Sequence, residues 1–275
     1  MPSAPDLNGA DKPEPIQNSD PLEVTTADAP LAREELREAL DALPPGERIE
    51  NVLAQLSLAA RSVAFARVAA PRLQVLEGQR GNTPVASGLN HLIISVLRAA
   101  VLDTAAMIDQ TGEGSNSIPT VLNILKRKLK DSPPSAERRA ALDLVLEIRT
   151  TSIETRTPEL DYVRYLRNKW AAHSTLDRSV DPWEPGKIVD FTKLESALEQ
   201  MQAHFLELAR LAGQVTALQS LEADGRKTGE NTIRIGLGWE GFGSDAVSFM
   251  GELGENSAGQ LLDRIEFGFA TWERD

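Results

Sequence analysis

Apolar residues recur along most of this chain at helical spacing. From Glu47 the run ERIENVLAQLSLAARSVAFARVAA places Ile49, Leu53, Leu56 and Ala60 on one face, which predicts a long helix that Pro71 should kink or end. A weaker helical pattern precedes it, from Pro30 through LAREELREALDAL to the turn Pro44-Pro45-Gly46. After a loop over residues 81–87, GLNHLIISVLRAAVLDTAAMIDQ is apolar on more than one face and reads as a central helix. Next come the loop TGEGSNS, a short amphipathic helix from Ile118 to Lys130, and a helix through RRAALDLVLEIRTTSI that Ser135 can cap. Phe191, Leu194, Leu198, Met201, Phe205, Leu208 and Leu211 then mark a long helix from Asp190 to about Leu221. Beyond Gly225 the pattern changes: NTIRIGLGWEGFG alternates more like a strand, and eight of the nineteen glycines fall in residues 231–275. The fold class is therefore all-α, a helical bundle over residues 31–224. An acidic tail (1–30) without the apolar content to order itself precedes it, and a small glycine-rich appendage of uncertain fold (225–275) follows.

The segment Thr157 to Ser174, TPELDYVRYLRNKWAAHS, carries the strongest chemical signal. Thr157 suits an N-cap, Pro158 the first helical position, and Glu159 and Asp161 the positive end of the helix. Tyr162, Leu166 and Trp170 form an apolar stripe that His173 extends, with Arg164, Arg167, Asn168 and Lys169 alongside. Arg167 and His173 are six residues apart, about 120° on an ideal helix, so they do not share a face. The longer arginine and a loosened helix end would still allow both to reach the rim of one groove. A histidine titrating near neutrality can serve as general acid or base on a ribose 2′-hydroxyl or its leaving oxygen. A guanidinium can hold the scissile phosphate as its charge grows. The plain alternative is that His173 finishes the helix and bonds its last carbonyls.

Composition narrows the field. Of 275 residues, 41% are hydrophobic and 25% charged, as in a soluble globular protein, and cysteine is absent, which rules out disulfides and thiolate metal sites. No apolar run reads as long enough to span a bilayer, since His91, Arg98 and Asp103 interrupt Leu89–Ile108, and the N-terminus has no signal-peptide pattern. The expectation is a cytoplasmic protein without membrane contact. The net charge of −12 argues against a general nucleic-acid coat protein, but residues 1–30 and 231–275 each contribute −5, leaving the middle nearly neutral.

The three histidines, His91, His173 and His204, stand alone in their helices, so no metal site is expected. His91 is expected buried and hydrogen-bonded, His204 solvated or partly packed. The match to G-x-G-x-x-G at Gly236–Gly241 lacks the surrounding βαβ unit and reads as a hairpin or loop; no cofactor is expected. The cations of KRKLK, Lys126 to Lys130, either complement a helix C-terminus or contact phosphate.

Leu166 to Ser174, LRNKWAAHS, resembles the R-x4-6-H signature of the HEPN superfamily, here as R-x5-H with Asn after the Arg. The form LRNK…AHS is particularly similar to HEPN-like proteins associated with abortive infection, and the resemblance covers about residues 47–221. It implies an α-helical bundle that dimerises through its motif helices, with RNA as substrate and metal-independent endoribonuclease activity as a toxin or antiviral effector. It implies Arg167 as phosphate anchor, His173 as acid/base and Asn168 as polar organiser, with Lys169 and Arg164 as further substrate contacts. With a toxin role the resemblance also implies an antitoxin or other regulatory protein as partner. Thr175 stands where one subgroup carries a tyrosine that is modified, so regulation of that kind is not expected. Two alternatives stay open: a non-catalytic binding or scaffold module recruiting a partner or nucleotide, and an Arg–His pair with a structural role.

Overall fold

A computed structural model describes residues 43–109, 116–168, 189–224 and 229–272. The helices are α1 (Pro45–Arg80), α2 (Pro84–Ala106), α3 (Ile118–Asp131), α4 (Ala136–Ile148), α5 (Pro158–Leu166), α6 (Phe191–Asp224) and α7 (Gly229–Trp272). A π-helical segment, Arg149–Glu154, extends α4. No strand occurs among the described residues. The acidic tail, residues 30–42 of the weak helical pattern, and residues 176–187, LDRSVDPWEPGK, whose turn-prone composition predicts a loop, lie outside them.

Local chemistry sets the helix starts. Thr83, Ser117, Ser135 and Thr157 each accept the amide three residues on, at 3.2, 3.4, 3.0 and 3.3 Å, satisfying donors that a first turn leaves unpaired. Pro45, Pro84, Pro119 and Pro158 occupy first or second positions, where the missing N–H costs nothing. In the π-helical segment the hydroxyls of Thr151 and Ser152 donate to the carbonyls of Glu147 (3.0 Å) and Ile148 (2.6 Å). Such back-bonding competes with the regular ladder and suits a widened turn.

The bundle is organised around α1, which packs against α2, α6 and α7, and around α6, which also touches α3, α4 and α5. The predicted stripes form the core: Ile49, Leu53, Leu56 and Ala60 on α1, and Leu194, Leu198, Met201, Phe205, Leu208 and Leu211 on α6, are all buried. Phe191 packs at its edge.

Three readings need correction. Pro71 neither ends nor splits α1, which runs unbroken to Arg80. Packing along its whole length, including Arg72 with Glu266 at 2.6 Å, holds the final turns in place beyond the proline. Second, α2 flanks the core instead of occupying its centre. An apolar groove of about 330 Å³, lined by Leu58, Phe65, Val96 and Ala99 among others, remains between α1 and α2. By length and hydropathy both helices would suffice to cross a bilayer, which corrects the reading that no run is long enough; α1 buries 56% of its most apolar window in the bundle and α2 33%.

Third, the strand-like reading of NTIRIGLGWEGFG fails, and so does the hairpin or loop reading of Gly236–Gly241, because both stretches lie within α7. Gly254, Ala258 and Leu262, spaced by four, form a buried stripe against α1. Gly254 meets Arg61, and Arg72 meets Asp263 and Glu266, so α7 runs parallel to α1. Tertiary packing of this kind overrides a local alternation of period two. Arg67 joins three helices, pairing with Glu195 of α6 at 2.8 Å and with Glu255 of α7.

Candidate functional site

The site is built where α5 ends. Thr157 starts α5, and its hydroxyl also reaches Gln200 of α6 at 2.8 Å, while Gln200 donates to Glu159 at 3.3 Å. Leu160, Tyr162, Val163 and Leu166 are buried. The Tyr162 hydroxyl accepts the Asp190 amide at 2.8 Å, and the Lys193 ammonium lies 4.9 Å from its ring centre. Asp190 in turn caps α6, accepting the amides of Thr192 (3.1 Å) and Lys193 (3.4 Å). These contacts fix α5 against the first turn of α6.

Tyr162 and Leu166 are 4% and 1% exposed, so they belong to the core of a single chain, and a dimer that pairs its motif helices cannot use these two residues as its seam. A stripe at helical spacing marks burial without telling which surface does the burying.

Arg167 is the C-cap residue of α5, and its side chain reaches Asp109 just after α2. Its Nη2 donates to Asp109 Oδ2 at 2.6 Å, and its Nη1 to Asn168 Oδ1 at 2.9 Å. The arginine side chain is 37% exposed and the aspartate 27%, so the pair lies at the rim of the bundle. Asp109 follows α2 directly. Its carbonyl accepts the Ser117 hydroxyl at 2.6 Å, and Ser117 caps α3, so the partner of Arg167 is anchored to the start of the next helix. Asp109 is the residue the sequence did not reveal. It lies 58 positions from Arg167 in a polar connection, and no local pattern distinguishes it from other loop acids.

The remaining candidates separate. Arg164 is held by Asp161 at 3.3 Å on the same helix, one turn before Arg167. Arg164, Arg167 and Asn168 are thus gathered at one end of α5, with Arg167 and Asn168 in direct contact. Lys169, Trp170 and His173 lie outside the described residues. Among the described residues no cluster of three or more histidine, aspartate or glutamate side chains could hold a metal ion. What the visible part can do is present a guanidinium, braced by a carboxylate and an amide, to an anion at the protein surface.

The other histidines resolve differently. His91 is exposed, which corrects the buried reading, because the face of α2 that carries it turns away from α1. His204, half-buried on α6, has its pKa lowered by burial, with Glu207 pulling the other way. Its folded pKa lies below its unfolded one, so the unfolded chain takes the proton first as pH falls. Stability should therefore drop as pH descends through about 6.5, and His204→Gln should remove that share of the loss. Thermal midpoints of both proteins at neutral and mildly acidic pH check this; parallel pH profiles would refute it.

The arginine–asparagine pair at the end of a short capped helix sits in an all-α bundle, consistent with a HEPN-like helical domain. The family model described as HEPN AbiU2 matches residues 46–231, and the chain belongs to that family, an abortive-infection-associated HEPN domain. No curated protein matches the chain, and no solved structure does.

Proposed function

We propose that this chain is a metal-independent endoribonuclease, acting as an antiviral or toxin effector in the cytoplasm. The observation that carries the reading is Arg167, held by Asp109 and Asn168 at the bundle surface, six residues before His173. In this mechanism Arg167 binds the scissile phosphate and offsets the charge that builds on its equatorial oxygens. His173 takes the proton of the ribose 2′-hydroxyl as that oxygen attacks phosphorus, and the imidazolium so formed delivers it to the 5′-oxygen as the P–O5′ bond breaks. The products are a 2′,3′-cyclic phosphate and a 5′-hydroxyl end. Asn168 orients the guanidinium, and Arg164 and Lys169 contact neighbouring phosphates.

The test uses total RNA in the presence of EDTA. Wild type should cleave it, and His173→Ala should fall by at least about 10²-fold, the usual contribution of a general acid or base. Equal inertness of both proteins on every RNA tried would sink the proposal. That result would favour the second reading, a HEPN-like binding module that recruits a partner.

The reading also calls for a homodimer in which two Arg–His sets line one cleft. With Tyr162 and Leu166 committed to the core, the contact has to be made by other residues near the end of α5. Size-exclusion chromatography with light scattering at micromolar concentration should show a dimer; a monomer would overturn the composite cleft.

A further inference from the structure

The end of α3 and the start of α4 form a second cationic region, well away from Arg167. Residues 126–139 hold six bases, Lys126, Arg127, Lys128, Lys130, Arg138 and Arg139, against two acids, Asp131 and Glu137. This excess of +4 sits in a chain of net charge −12. Cations in the last turn of α3 complement its dipole, but Arg138 and Arg139 occupy the first turn of α4, where the dipole disfavours them. Dipole complementation therefore does not account for the cluster. The two helices are tied together there, with Arg138 Nη2 donating to the Lys130 carbonyl at 3.1 Å.

One contact shows what lies nearest. Lys128 Nζ donates to the carbonyl of Leu43 at 3.0 Å, so the chain enters the bundle beside the last turns of α3, about 160° around that helix from Lys126 and Lys130. Everything before Leu43 is tethered there. Residues 1–42 carry ten acids and three bases, and five of the acids, Asp28, Glu34, Glu35, Glu38 and Asp41, fall within fifteen positions of Leu43. At no more than about 3.6 Å per residue, Glu38 and Asp41 start within about 18 Å of the anchoring contact. A tethered segment meets its site at an effective concentration on the order of millimolar, which favours it over a free polyanion of modest affinity.

We propose that the cationic face of α3 and α4 is the docking surface of the chain's own acidic N-terminal segment, residues 1–42. The segment shields this face from other polyanions. Ser117 and Asp109 lie at the opposite end of α3, about 20 Å away for a helix of this length, so the docked segment and the Arg167 site are separate. The proposal is independent of any ribonuclease activity.

Zero-length carbodiimide cross-linking of the full chain, read by mass spectrometry, tests it. Carboxylates of residues 28–41 should link to Lys126 and Lys130 within one chain, as an equal mixture of isotope-labelled and unlabelled protein would report. Raising salt from about 0.05 to about 0.5 M should cut the yield at least about threefold, because screening contracts to a few ångströms. Glu34→Gln, Glu35→Gln, Glu38→Gln and Asp41→Asn together should remove most of the links. Links to Lys126 and Lys130 no more frequent than those to Lys193 on α6 would overturn the proposal. So would links that join two copies, or an absence of links while added RNA protects Lys126 and Lys130 from acetylation.

Discussion

On the proposed ribonuclease reading, Arg167→Ala should lower kcat/KM for RNA cleavage by about 10²–10³-fold, the loss typical of removing one preorganised donor to a charge that develops in the transition state. Arg167→Lys should recover little of it, because an ammonium cannot reproduce a planar fork. Unfolding does not explain such a loss. The Arg167–Asp109 pair is more than a quarter exposed on each side, and a pair of that kind contributes about 0–1 kcal/mol to stability, so the thermal midpoint should barely move.

Asp109→Asn should behave differently. The carboxylate holds the guanidinium in place but competes with a phosphate for one of its N–H groups. Without that charge, RNA should bind more tightly to a less well-aligned arginine, lowering KM and kcat together. Steady-state kinetics of the three variants on one defined oligonucleotide supply the readout. An Arg167→Ala enzyme with unchanged kcat/KM would remove Arg167 from the site.

The contrast between Arg167 and Asp109 also indicates how far a sequence can be read. Thr157, Ser135 and the stripes on α1 and α6 were legible because caps and helical periods are local rules, obeyed within a few residues. Arg167, Asn168 and His173 stand out in the sequence through their spacing alone, which says nothing of their partners. Asp109 was not legible, since its role comes from a tertiary contact that no spacing encodes. For the same reason Tyr162 and Leu166 gave the right period and the wrong neighbour: burial against α6 or against a second copy leaves the same stripe. Pro71 and the glycines of α7 were misread in the opposite direction. Local rules argued against a helix, and packing of α1 and α7 against each other and against α6 outweighed them.

The glycines of α7 give the sharpest structural expectation, because one substitution should change sign within a single turn. At Gly251 an added Cβ meets nothing within 4 Å, so Gly251→Ala should stabilise the chain by about 0.5–1 kcal/mol through lower unfolded-state entropy. At Gly254 the added Cβ would overlap the carbonyl oxygen of Arg61 and approach the Phe65 amide nitrogen to 3.2 Å. Both are backbone atoms inside α1 and cannot rotate away, so α7 would have to move off α1. Overpacking of this kind costs about 1–3 kcal/mol, which exceeds the same entropic gain. The displacement would also strain the contacts of Arg67 with Glu255 and of Arg72 with Glu266. At about 2–4 °C per kcal/mol for a domain of this size, Gly254→Ala should lower the thermal midpoint by several degrees, while Gly251→Ala raises it slightly. Hydrogen exchange should localise the Gly254→Ala effect to residues 245–266. Equal shifts of the two variants would mean that α7 does not cross α1 at Arg61.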